Sequence, residues 1–148
     1  MTEAAELGAG DRVELSFPAR GDLIVLARLV TSVVSARAGF DIEELEDLRL
    51  AVGELCLLTL QGSDGEQGDL RLELTVLSEA IGVVCTLAGA GAGAGAGASA
   101  ASVVSTNGDE TAQLSEQILD ALVDDHGRER QDGSVRAWLR KRRGGHAA

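Results

Sequence analysis

Aromatic side chains are nearly absent: Phe17, Phe40 and Trp138 are the only ones in 148 residues. That argues against a surface for RNA or single-stranded DNA, which stacks bases on aromatic platforms in a positive groove. Basic residues are scarce as well, with 13 Lys and Arg against 24 Asp and Glu, a formal net charge of -11, and Lys141 as the sole lysine. Phosphate contacts need Lys and Arg, so no nucleic-acid partner is expected; the acidity favours solubility and a partner with some basic surface. No run of about 18 apolar residues exists, so no membrane span is expected. The acidic, small-residue N-terminus has no basic start and no apolar signal core, which predicts a cytoplasmic protein. Cys56 and Cys85 are too few for a disulfide framework or a zinc site, and both sit in apolar runs, as buried free thiols do. His126 and His146 have no ligand-pair spacing, and no metal site is expected on spacing alone.

What is present suffices for one core. Hydrophobic residues make up 45% of the chain, and its length fits a single domain. Residues 1–11 read as a disordered tail, 12–143 as the domain and 144–148 as a second tail. Val13, Leu15 and Phe17 alternate with polar residues and predict a half-buried strand, ended by Pro18. A helix follows over 22–38, with Leu23, Leu26, Ala27, Val30, Val33 and Val34 as its inner stripe and Gly39 as its stop. Asp41 and Glu44 form a capping-box pattern at the head of a second helix to about residue 60. Its inner stripe is Leu45, Leu48, Val52, Leu55 and Cys56. Leu70, Leu72, Leu74 and Val76 mark a second strand. After the Ser78-Glu79-Ala80 turn, residues 81–87 (IGVVCTL) make a third, apolar enough to be central.

Residues 88–98 read AGAGAGAGAGA. With no side chain larger than methyl, the run cannot build a core, and ordering it is entropically costly. Residues 88–110 are therefore expected to form a flexible lid-like insertion. A third helix over 111–125 puts Leu114, Ile118, Ala121 and Leu122 in register. A polar connection follows, with room for a short strand, and a last strand covers 134–140. The predicted fold class is α+β: a two-layer sandwich with helices on one face of a mixed, mostly antiparallel sheet. Arg136, Arg140, Lys141, Arg142 and Arg143 form a basic cluster that reads as a solvated strand end in so acidic a chain.

Glu54 is the one acid amid the apolar positions of the second helix. A carboxylate there either reaches water at the stripe edge or acts as a general base or nucleotide-proximal group. The surrounding run, Asp47 to Cys56 (DLRLAVGELC), resembles the N-box helix of the GHKL (Bergerat-fold) ATPases, in particular the small anti-sigma factors and serine kinases of the RsbW type. Their usual pattern there is D-I/L-R/K-L-A-V-x-E-A-C-x-N. The resemblance extends from about Val13 to Arg142 and covers the element order.

The resemblance implies a protein that sequesters an alternative sigma factor, is released by a STAS-type anti-anti-sigma partner, and forms a homodimer. Kinase members use ATP and magnesium to phosphorylate a serine of that partner. It assigns Glu54 as catalytic base and nucleotide-proximal group, Gly89 and Gly91 to the nucleotide site, and Arg28 to partner contact; Arg28 lies off the apolar stripe and is expected to be exposed. The departures are specific. Leu58 stands where magnesium-binding Asn is usual, and leucine offers no oxygen. Leu87 stands at the adenine-recognising Asp of the D-x-G motif. Residues 110–116 (ETAQLSE) lack the phosphate-loop glycines and add acid. The expectation is a binding regulator with a degenerate nucleotide site; the alternative is an active ATP-dependent serine/threonine kinase.

Overall fold

The computed structural model describes residues 7–61, 68–88, 106–131 and 134–144. The elements run β1 (Arg12–Pro18), a 3-10 turn (Gly21–Leu23), α1 (Ile24–Arg37), α2 (Ile42–Gln61), β2 (Asp69–Val76), β3 (Ala80–Ala88), α3 (Thr106–Leu122), β4 (Asp125–Gln131) and β5 (Ser134–Arg142). The five strands form one sheet in the order β1-β2-β3-β5-β4, and every neighbouring pair is antiparallel. The fold is the α+β sandwich read from the sequence, with the antiparallel character complete among the described strands. β3 is central, as its apolar sequence requires.

Alternation decides the sheet's two faces. Leu70, Leu72 and Leu74 of β2, Ile81, Val83 and Cys85 of β3, and Ala137 and Leu139 of β5 are buried, in one cluster with Leu48, Val52, Leu55 and Leu58 of α2. The helices cover this face. The opposite face carries Arg136, Trp138 and Arg140, around a depression of about 410 Å³ that Thr75, Gly82 and Val84 also line.

The ends of α1 and α2 follow local rules. Gly39, with φ +87°, closes α1: its N–H donates to Ala36 O (3.2 Å) and that of Phe40 to Ser35 O (3.0 Å), a Schellman arrangement. The capping box also forms, with Glu44 N donating to Asp41 Oδ1 (2.8 Å) and Asp41 N to Glu44 Oε1 (3.0 Å). Glu44 is buried, and its second oxygen accepts from Gly144 N, which ties the chain's last described residue to the head of α2.

Several expectations are corrected. α1 buries Ile24, Ala27, Thr31, Val34 and Ser35, whereas Leu26 and Val33, placed inside by the sequence reading, are exposed. The helix is apolar nearly all round, so pattern alone could not fix its rotation; small Ala27, Thr31 and Ser35 allow a close approach to α2, and Thr31 satisfies its hydroxyl on Ala27 O (2.7 Å). α3 starts at Thr106 rather than residue 111 and buries Ala112, Ser115 and Leu119, leaving Leu114 exposed. The polar connection after α3 is a full edge strand, β4, held by backbone pairing with β5. Leu7 N and Gly10 N, expected in the tail, donate to Arg37 O (3.2 Å) and Val76 O (2.8 Å). Most of the Ala-Gly run, both chain ends (1–6 and 145–148) and the candidate residues Gly89 and Gly91 lie outside the described residues.

Candidate functional site

The middle of α2 carries the residues singled out in the sequence. Glu54 is half-buried, one helical turn from Leu58. Its Oε1 accepts a hydrogen bond from Ser115 Oγ of α3 at 2.8 Å. Ser115 is only 2% exposed, so its hydroxyl depends on this carboxylate for a partner. The bond joins α2 to α3 across 61 residues of sequence. Sequence reasoning missed Ser115: it fell outside the stripe assigned to that helix, and its only signal was a small polar residue at helical spacing between Ala112 and Leu119.

Leu58 and Leu87, at the two positions where the family pattern has Asn and Asp, are both buried members of the apolar core. Neither offers a donor or acceptor. Glu54 therefore stands beside apolar packing on one side and a serine hydroxyl on the other. Of the acids in residues 110–116, Glu116 pairs with Arg128 of β4 at 3.2 Å. Among the described residues, no group of three or more His, Cys, Asp and Glu side chains could hold a metal ion. Glu54 is the charged side chain of residues 50–60 of α2, and its Oε1 is already bonded to Ser115.

No protein-family model matches the chain. Known proteins do match it. The serine-protein kinase RsbW of Bacillus pumilus is 33% identical over 78 residues, covering 50% of this chain and 48% of that protein. The protein of the same name from Listeria monocytogenes is 31% identical over 75 residues, 49% of this chain and 48% of the relative. That of Bacillus subtilis is 29% identical over 76 residues, 50% and 48%. The chain is thus similar to RsbW-type serine-protein kinases over about half of its length, and its α+β sandwich is consistent with a GHKL-like fold. It spans about half the length of the curated relatives it matches.

Arg28 departs from the expectation for an RsbW-type partner contact. It is half-buried, not exposed, and its guanidinium lies over Gly53 of α2. A Cβ at position 53 would stand 2.5 Å from Arg28 Nε and 2.6 Å from Nη2, so only glycine admits the guanidinium there. Nε is buried and has no hydrogen-bond partner among the described residues. The glycine at the variable position of the DLRLAVGELC run was the available signal. Apart from Arg37 in its last turn, what α1 exposes is apolar: Val25 at 49%, Leu29 at 57% and Val33 at 55% follow one another at four-residue spacing, with Leu26 beside them.

The basic cluster is largely consumed within the chain. Arg136 pairs with Glu129 (3.0 Å) and Arg140 with Asp125, while Lys141 Nζ donates to Leu122 O (2.9 Å) and Arg143 Nη1 to Ala38 O (2.9 Å). No helix of the described residues is long and apolar enough to cross a membrane.

Proposed function

We propose that this chain is an anti-sigma factor: it binds and sequesters an alternative sigma factor in the cytoplasm and is released by an anti-anti-sigma partner of the STAS type. The observation that carries this reading is the apolar face of α1. Four large aliphatic side chains of one helix, Val25, Leu26, Leu29 and Val33, stand in solvent on an otherwise strongly acidic chain. Exposed apolar stripes of this kind mark protein-binding surfaces. Arg28, on the same helix, is held against Gly53 and reaches a partner in this reading only at the edge of that face.

The nucleotide site is degenerate in this reading. Leu58 and Leu87 sit in the core, and Glu54 serves as the acceptor that satisfies Ser115. ATP and magnesium are then not required for binding the partner, and a homodimer is the expected assembly. The test is partner capture with purified sigma factors of the same organism. Leu29→Asp and Val33→Asp should weaken binding about 30-fold or more, the range of a lost interface anchor. Unchanged affinity in both variants would sink the reading.

A second reading, an ATP-dependent serine kinase acting on the anti-anti-sigma partner, is favoured by the survival of Glu54 and by the names of the relatives. Titration with ATP and magnesium separates the two. Saturable binding below about millimolar, a binding energy near 4 kcal/mol or more, together with phosphate transfer to a STAS protein would replace the first reading by the second.

A further inference from the structure

Cys56 of α2 and Cys85 of β3 are the only two cysteines of the chain. Both are fully buried and reduced, and their sulfurs lie 4.0 Å apart, within reach of an S–H···S hydrogen bond. An isolated buried thiol is ordinarily inert. This pair differs in having each other, with the Thr59 hydroxyl and the Arg28 charge nearby. We propose that Cys56 and Cys85 form a two-electron redox site that closes to a reversible intramolecular disulfide with hydrogen peroxide as oxidant.

The environment assigns the roles. Cys85 is held below its ordinary pKa first by its hydrogen-bond contact with Cys56, with burial opposing and the nearby Thr59 side chain adding to the lowering. Cys56 is pushed well above its ordinary value by the same bond to Cys85 and by burial, with the charge of Arg28 pulling the other way. Cys85 is thus the thiol that gives up its proton more readily and takes the attacking role, and Cys56 the resolving one. In the first step Cys85 sulfur attacks the peroxide O–O bond, which breaks; Cys85 becomes a sulfenic acid, and the departing hydroxide takes up a proton as water. In the second, Cys56 sulfur attacks the sulfenic sulfur, the S–O bond breaks, and a second water leaves with the Cys56 proton. Two thiols and one peroxide yield one disulfide and two waters. The sulfurs must approach by about 2 Å to reach bonding distance. Peroxide is little larger than water and enters through the local openings that every fold undergoes. The resulting tie would fasten α2 to the central strand one turn after Gly53, where Arg28 rests.

The test needs only the full chain. Reduced protein is exposed to hydrogen peroxide under native conditions, quenched, unfolded in guanidinium with iodoacetamide, and weighed intact. The expected product is about 2 Da lighter, carries no alkyl group, and takes two after dithiothreitol. Its unfolding midpoint should rise by roughly 5–10 °C, since the link closes a loop of nearly thirty residues. Cys56→Ala and Cys85→Ala should each retain one thiol and show neither the mass loss nor the rise. Two alkyl groups on the native wild type after prolonged exposure would overturn the proposal. So would oxygen adducts on separate cysteines, disulfide-linked dimers, or a disulfide that appears only once the chain is unfolded. None of these outcomes bears on the anti-sigma reading, which rests on α1.

Discussion

Glu54 is committed to Ser115, and that bond gives its substitution a definite cost. Glu54→Ala removes a charged acceptor and strands a hydroxyl that is 2% exposed. A hydrogen bond to a charged group contributes about 1.5–3 kcal/mol, and a buried orphan hydroxyl costs about 1–3 kcal/mol. Glu54 is only half-buried, so water screens part of the first figure. The expected loss is about 2–3 kcal/mol, or roughly 4–10 °C in unfolding midpoint for a chain of this size. Ser115→Ala is milder, about 0.5–1.5 kcal/mol, because the freed carboxylate reaches solvent. Glu54→Gln keeps a carbonyl acceptor and should cost about 0.5–1 kcal/mol. Urea melts followed by circular dichroism on both single variants and the double variant measure the coupling, expected at about 1–2 kcal/mol. A coupling near zero, with Glu54→Ala as stable as the parent, would refute the interhelical bond and return Glu54 to the list of available bases. The same numbers dictate how function is tested: Glu54→Gln, not Glu54→Ala, separates chemistry from folding.

Other substitutions probe the frame around the site. Glu44→Ala removes the acceptor for both Asp41 N and Gly144 N and should lower stability by about 2–4 kcal/mol in the same urea assay, with Asp41→Ala costing about 1 kcal/mol. Gly39→Ala forces a Cβ into φ +87° and to 2.9 Å from Arg143 Nη1; a loss of about 1–2 kcal/mol is expected, and a neutral result would contradict the Schellman geometry. Gly127→Ala brings a Cβ to 3.0 Å from the Trp138 indole, and since Trp138 is the single tryptophan, a shift in intrinsic emission with the helical signal unchanged reads it directly. Leu29→Asp should change stability by less than about 1 kcal/mol while abolishing partner capture, because the side chain is already in solvent.

Much of the fold was legible because its strands alternate strictly. Leu70 to Val76 and Val135 to Leu139 read inward and outward without exception, and the capping box and Gly39 announced the junction of α1 and α2. The failures have a common cause. α1 presents Val, Leu and Ile on nearly every side, so periodicity does not choose a face; the choice falls to Ala27, Thr31 and Ser35, whose smallness matters only when a second helix approaches. β4, with the sequence DHGRERQ, has no apolar alternation because it is an edge strand, and its pairing is carried by main-chain bonds to β5.

The site was harder to read for a related reason. Its resemblance to an N-box helix lay in one contiguous run, but its contacts cross the chain: Glu54 with Ser115, Gly53 with Arg28, Cys56 with Cys85. These three pairs occupy four successive positions of α2, from 53 to 56, apart from Leu55, which enters the core. One turn of helix thus faces α1, α3 and β3 in succession, and each neighbour supplies a polar or sulfur group to it. Within that turn Glu54 stays half-buried, with its Oε1 committed to Ser115. Ile42, Leu50 and Leu114 are also exposed, but the longest run of exposed aliphatic side chains on one helix among the described residues belongs to α1. A carboxylate already bonded to a serine, beside a helix with an aliphatic face in solvent, is what supports the proposed binding role over the kinase reading.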